Sequence, residues 1–237
     1  MNRRKVFVSL FVSAFLVLGI AGTGSCYLLS SGYVLKRMIQ NYRSIRSMTF
    51  RQRIEAYGED ATFPFASVDE KVKLEPIVPM KIWIGGKLVL SGGEMAPEID
   101  VNPYLLEAQR RYGFYKDVFL THQVNLVTSL LERLGIAPVE DRLRLLYPDV
   151  AYQVGNELTH ENLKGLWIDK DRFIPLRIVG TLTVDRNETP TQETIDIRYG
   201  DYRLVNERYW IPFDIRFYVE GKLSLRIRVV TVSVETY

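Results

Sequence analysis

The C-terminal stretch "IPFDIRFYVEGKLSLRIRVVTVSVE", residues 211–235, alternates apolar and polar side chains on both sides of a Glu220–Gly221 step. Phe213, Ile215, Phe217 and Val219 share one face of its first half, and Leu223, Leu225, Ile227 and Val229 share the matching face of its second. Side chains alternate across a strand, so this pattern specifies a long antiparallel hairpin with one apolar side. Asp214, Arg216, Arg226 and Arg228 fall on the opposite, solvated side. A hairpin cannot bury an apolar face by itself. It needs a larger sheet and a layer to cover that face.

The same period continues upstream. Candidate strands run over 141–147, 150–155, 162–169, 173–184, 193–200 and 202–207, ahead of the pair at 211–220 and 222–235. Nearer the N-terminus, "MTFRQRIEAYG" sets Met48, Phe50, Ile54 and Ala56 against Arg51, Arg53 and Glu55, and "VDEKVKL" at 68–74 alternates again. "MKIWIGGKLVLSGG" reads as a hairpin whose Gly85–Gly86 step supplies the positive φ of a tight turn. Helical spacing appears in three places. Apolar residues at 34, 35, 38, 39, 42 and 45 make one face of "SGYVLKRMIQNYRSI", with Ser30 or Ser31 as cap; a short helix is expected near 103–112. A longer one is expected at about 117–134, where Leu126, Val127, Leu130, Leu131 and Leu134 form a stripe before Gly135 and Pro138. These elements predict a mainly β protein with some α: a strongly bent antiparallel sheet whose apolar face is covered by helices. No linker composition divides it, so residues 26–237 are expected to form a single domain with a helical insertion at about 103–138.

Residues 1–25 differ from the rest. Arg3, Arg4 and Lys5 precede "VFVSLFVSAFLVLGI", the order of an export signal or an N-terminal membrane anchor. The lone cysteine, Cys26, follows in "GTGSC", where it cannot form an intrachain disulfide. Its place after an apolar run and small residues is a pattern for lipid attachment, although Thr23 replaces the usual aliphatic residue. Ordinary cleavage near the small residues and an uncleaved anchor are the other two readings. The formal charge of +3 disappears once the three basic residues before Cys26 are removed, so it does not point to nucleic acid. The basic residues at 36, 37, 43, 46, 51 and 53 read as solvated faces, or as contacts to anionic lipid headgroups near the anchor.

Chemistry-bearing motifs are few. The "DKDR" knot in "LWIDKDRFIPLRI" places Asp169 and Asp171 two apart, yet no ligand completes a cation site, and two apolar strands flank it. It reads as the turn of a hairpin. His122 and His160 stand alone, without metal-ligand spacing. No nucleophile elbow, phosphate loop or dinucleotide fingerprint is present, so the expectation is binding without catalysis, cofactor or metal. The apolar sheet face is the remaining candidate site. Its expected lining is Phe50, Ile54, Val72, Leu74, Ile82, Ile84, Ile178, Leu182, Ile197, Phe213, Ile215, Phe217 and Leu225.

Several stretches, in order, resemble the LolA/LolB-like superfamily of outer-membrane lipoprotein-sorting proteins. They are "VLKRMIQNYRSIRSMTFRQRI", "KVKLEPIVPMKIWIGGKLVLSGG", "YQVGNE", "LWIDKDRFIPLRI" and "IDIRYGDYRLVNERYWIPFDIRFYVEGKLSLRI". Asp169, Pro175, Arg177, Asp201, Tyr202 and Pro212 match the recurrent pattern, as turn and ribbon residues. The resemblance implies an incomplete antiparallel β-barrel with a helical lid around a hydrophobic cavity. It also implies lipid or lipoprotein acyl chains as partners and a bacterial envelope location facing the periplasm. For a lipoprotein held through Cys26, Tyr27 stands where an inner-membrane-retained lipoprotein has aspartate, which favours the outer membrane. Lys81 stands where the lipoprotein chaperone itself has an arginine beside the proline-containing link. The other expectation is a structural or interaction module of an envelope assembly, with a filled interior and an envelope protein as partner.

Overall fold

In the computed structural model the described residues are 29–58, 62–76, 80–91, 94–95, 113–137, 144–146, 150–155, 164–186 and 189–237. Alternation of side chains along the chain gives strands β1 (Ile45–Tyr57), β2 (Pro64–Leu74), β3 (Lys81–Ile84), β4 (Lys87–Ser91) and β5 (Glu94–Met95). The later strands are β6 (Arg144–Leu146), β7 (Ala151–Val154), β8 (Gly165–Asp169), β9 (Pro175–Arg186), β10 (Thr189–Val205), β11 (Tyr209–Val219) and β12 (Lys222–Thr236). They form one sheet in the order β5-β4-β3-β2-β1-β12-β11-β10-β9-β8-β7-β6. Every pairing is antiparallel. The chain builds outward from β1 to one edge, resumes at the other edge with β6, and returns strand by strand until β12 pairs with β1. Because β5 and β6 stay at opposite ends, the sheet is an incomplete barrel.

The long strands keep the register that their apolar periods require. Phe50 lies opposite Val72 and Val232, Ile54 opposite Val68 and Ile227, and Ile215 opposite both Tyr199 and Ile227. Irregularities separate 51 from 52 in the β1–β12 ladder and 217 from 218 in the β11–β12 ladder. The second puts Leu223 opposite Tyr218, so the expected Leu223–Leu225 pairing with β11 does not run through to the turn. Such a bulge bends a strand and increases its twist.

Helix α1 (Ser31–Tyr42) begins at Ser30, whose hydroxyl accepts from Tyr33 N at 3.3 Å. Val34, Leu35, Met38, Ile39 and Tyr42 face the sheet, a burial worth roughly 1.5–3 kcal/mol for each large apolar side chain. The single helix expected at 117–134 is two pieces: residues 113–119 are helical, and helix α2 spans Val124–Arg133. Between them the Thr121 hydroxyl bonds Gln123 N at 3.4 Å and Gln123 O at 3.3 Å, offering the backbone an alternative to the helical ladder. Gly135, at φ 65°, closes α2: its N–H donates to Glu132 O and the next N–H, of Ile136, to Leu131 O, each at 2.9 Å. The strands expected at 193–200 and 202–207 are one strand, β10. Asp201 takes φ 48°, but pairing continues from Gly200–Asp214 to Tyr202–Pro212 across it. The helix expected near 103–112 lies outside the described residues.

Candidate ligand-binding face

The sheet's two faces carry different chemistry. On the outer face, arginines and carboxylates interleave across neighbouring strands. Arg177 makes a two-pronged bond to Asp196 at 2.8 Å on each oxygen, and Arg198 joins the same carboxylate. Asp214 accepts from Arg226 at 2.6 and 3.1 Å and from Arg216 at 2.8 Å, while Glu55 accepts from Arg228 at 3.1 Å and Tyr57 at 2.9 Å. Burial alone would raise the Asp214 carboxyl, but the Arg226 and Arg216 bonds outweigh it and hold it below the ordinary value of 3.8. In Asp169, likewise, burial raises while the Arg172 guanidinium and the Arg172 and Asp171 N–H groups lower, and the net shift is downward. A carboxyl depressed in the folded chain contributes stability that is complete above its unfolded value, near pH 4. That contribution disappears as pH falls through the lower folded value. The unfolding midpoint in urea is therefore expected to hold steady from pH 7 to 5 and to drop below about pH 4. Asp214→Asn is expected to flatten part of that acid limb and to cost about 1 kcal/mol at neutral pH.

The "DKDR" knot is the β8–β9 turn. Asp169 Oδ1 accepts from the N–H groups of Asp171 at 3.0 Å and Arg172 at 2.7 Å, and Oδ2 pairs with the Arg172 guanidinium at 2.8 Å. Phe173 sits at φ 52° and donates its N–H to Asp169 O at 3.0 Å. Asn41, at the end of α1, donates to the carbonyls of Arg172 at 2.7 Å and Phe173 at 3.0 Å, so the turn fastens the helix to the sheet. Among the described residues no group of three His, Cys, Asp or Glu is placed to hold a metal ion. Asp169→Ala is expected to lower stability by about 2 kcal/mol, because two N–H groups and a guanidinium lose their acceptor. Thermal unfolding with and without millimolar calcium checks this: calcium is expected to leave the wild-type midpoint unchanged.

The inner face gathers the expected lining. Phe50, Ile54, Val72, Leu74, Ile82, Ile178, Ile197, Phe213, Ile215, Phe217 and Leu225 are buried in one continuous core, with Ile84 and Leu182 half-buried against it. Phe213 also carries the Arg203 guanidinium 4.3 Å from its ring centre. Opposite them lie Tyr115, Val118 and Phe119 from the helical residues 113–119 and Val127, Leu130 and Leu131 from α2. The Phe119 ring stacks on Tyr115 at 4.4 Å and meets Tyr42 at 5.1 Å and Tyr199 at 5.3 Å edge-on, while Tyr115 meets Phe50 at 5.3 Å. Aromatic rings thus occupy the middle of the concave face.

Two polar features interrupt this apolar surface, and the sequence reading missed both. Gln52 Nε2 donates to Glu70 Oε1 at 2.8 Å, and both side chains are buried. The signal was present, because period two places Gln52 on the same face as Phe50 and Ile54. Four tyrosines also converge. Tyr42 donates to Trp210 O at 2.9 Å, and Tyr202 donates to Pro175 O. The hydroxyls of Tyr115 and Tyr199 have no hydrogen-bond partner among the described residues. Burial raises the pKa of all four, so each remains a neutral phenol. The helix expected at about 117–134 begins two residues after Tyr115, whereas the structure is helical from 113; period two with Ile195 and Ile197 is the signal that places Tyr199 inward.

The remaining candidates lie apart. His122 is half-buried and meets the Tyr237 ring edge-on at 6.1 Å. The basic residues at 36, 37, 43, 46, 51 and 53 are all exposed. Cys26 and His160 lie outside the described residues, within which no helix is long and apolar enough to cross a membrane.

An open antiparallel sheet with a short helical cover on its inner face defines the class of fold. In this class the chain is similar to a LolA superfamily protein from Nitrosomonas europaea, with TM-score 0.51 and 9% identity over 88% of this chain and 95% of that one. It is also similar to an outer membrane lipoprotein-sorting protein domain from Vibrio parahaemolyticus, with TM-score 0.48 and 7% identity over 86% of this chain and 92% of that one. A DUF1329 family protein from Desulfovibrio piger gives TM-score 0.41 and 8% identity, with the same coverages of 86% and 92%. No protein-family model matches the sequence, and no curated protein does. At these identities the likeness is one of fold.

Proposed function

We propose that this chain is an envelope protein that binds an acyl chain or lipid-like amphiphile between the concave face of its sheet and its helical cover. It performs no chemistry on the ligand. The single domain 26–237 is held at a membrane, through lipidated Cys26 or the apolar segment before it, and faces the periplasm. One observation carries the reading: among the described residues, the long apolar face of the sheet is covered by short helical pieces and by no second sheet. A cover of that size can lift and admit a chain, and Phe119 marks where the chain would lie. The fold likeness to a LolA superfamily protein supports it.

The ring cluster of Tyr42, Phe50, Tyr115, Phe119 and Tyr199 favours a second reading, in which the interior stays filled and the domain is a scaffold for an envelope protein. Purification of the full chain from membranes, followed by organic extraction and mass spectrometry, separates the two. The binding reading expects stoichiometric lipid and saturable uptake of the apolar fluorophore N-phenyl-1-naphthylamine. A chain that carries no lipid and takes up no fluorophore overturns it.

A further inference from the structure

Tyr115 stands on the helical cover and Tyr199 on β10 of the sheet, with ring centres 6.4 Å apart at an interplanar angle of 69°. Both rings belong to the buried aromatic cluster, and neither hydroxyl has a hydrogen-bond partner among the described residues. Burying a hydroxyl strips its water at a cost that only a hydrogen bond offsets. Phenylalanine would fill each position with the same ring and without that cost. The two neighbouring tyrosines, Tyr42 and Tyr202, do use their hydroxyls, each on a backbone carbonyl. Tyr115 and Tyr199 therefore carry two donors that no described residue uses, one on the cover and one on the sheet.

The geometry points to a binding site for a carbonyl oxygen between the Tyr115 and Tyr199 hydroxyls, so that the ligand is a carbonyl-bearing acyl lipid and not a plain hydrocarbon. The inference rests on the proposed function above and names the ligand's chemistry. A carbonyl oxygen has two acceptor lone pairs, enough for both phenols. Burial keeps the phenols neutral, so they donate to a carboxyl or an ester and offer no charge to a cationic head. Because one donor sits on the cover and the other on the sheet, the same oxygen would tie the cover shut over the chain behind it.

The test uses the delipidated full chain held in amphipol, as wild type, Tyr115→Phe, Tyr199→Phe and the double variant. Three fluorescent probes are titrated: cis-parinaric acid, its methyl ester, and N-phenyl-1-naphthylamine, which has no carbonyl. Each single variant is expected to weaken both parinaric probes several-fold and the double variant about tenfold or more, with the naphthylamine unaffected. Loss for the acid alone would assign a free carboxyl, and equal loss for the ester would assign an esterified chain; either outcome supports the site. Thermal midpoints of the delipidated variants are expected to be unchanged or raised, since an unpaired polar atom has been removed. Lowered midpoints with all probes affected alike would mean internal water holds the hydroxyls, and would overturn the inference. Unchanged binding of all three probes would overturn it while leaving the proposed function standing. Absence of binding by the wild type would overturn both.

Discussion

Gly180→Val is expected to cost about 3 kcal/mol or more and to leave much of the chain unfolded at 37 °C, as read by urea unfolding followed with tryptophan fluorescence. Gly180 lies in β9 directly beneath the end of α2. A Cβ there would stand 2.7 Å from Leu134 Cβ and 2.9 Å from Leu134 O, closer than packed atoms tolerate. The neighbour cannot yield, because Leu134 O also accepts from Thr181 N at 2.7 Å and Gly135 fixes the turn that follows. The substitution therefore pushes the cover off the sheet or breaks the pin that holds it. Gly200→Ala is the control. Its Cβ meets only Asp214 O, at 3.7 Å, and its effect is expected to stay within about 1 kcal/mol. Similar losses at the two positions would show that the contact between α2 and β9 is not what fixes the cover.

That contact could not have been read from the sequence, whereas most of the sheet could. In β1, β11 and β12 the apolar period is long and one face is buried, so a slip of one residue would turn the whole apolar set outward. The register of Phe50, Ile54, Ile215 and Ile227 follows from that constraint. Elements failed where a local signal was mistaken for an end. Gly200–Asp201 looked like a turn between strands, yet Asp201 absorbs a positive φ while β10 continues to Val205. Thr121 carries no breaker signature of the strength of glycine or proline, so a helical period running through it read as one helix. The candidate site followed the same division. The burial of its expected aliphatic lining was legible from alternation, because core and ligand-lining residues obey one rule. The aromatic cluster joins residues 42, 50, 115, 119 and 199, and only the folded sheet brings those distant positions together.

Phe119→Ala is expected to lower stability by about 3–5 kcal/mol and, at the same time, to strengthen uptake of N-phenyl-1-naphthylamine. The first effect follows from burial: Phe119 is fully enclosed and meets the rings of Tyr42, Tyr115 and Tyr199. Removing it deletes those contacts and leaves a space that neighbours on a rigid sheet refill only in part. The second effect follows from competition. If a ligand must replace Phe119 against the concave face, the apparent affinity is reduced by the fraction of chains whose cover is open. Each 1.4 kcal/mol by which the ring favours the closed cover weakens binding about tenfold. Taking the ring away removes part of that penalty, so the variant is expected to bind the fluorophore about tenfold more tightly despite being less stable. Equilibrium titration and urea unfolding on the same preparation give both quantities. Opposite movement of stability and affinity is the signature of a plug that a ligand displaces. If both fall together, Phe119 is core and nothing more, and the interior is a filled scaffold.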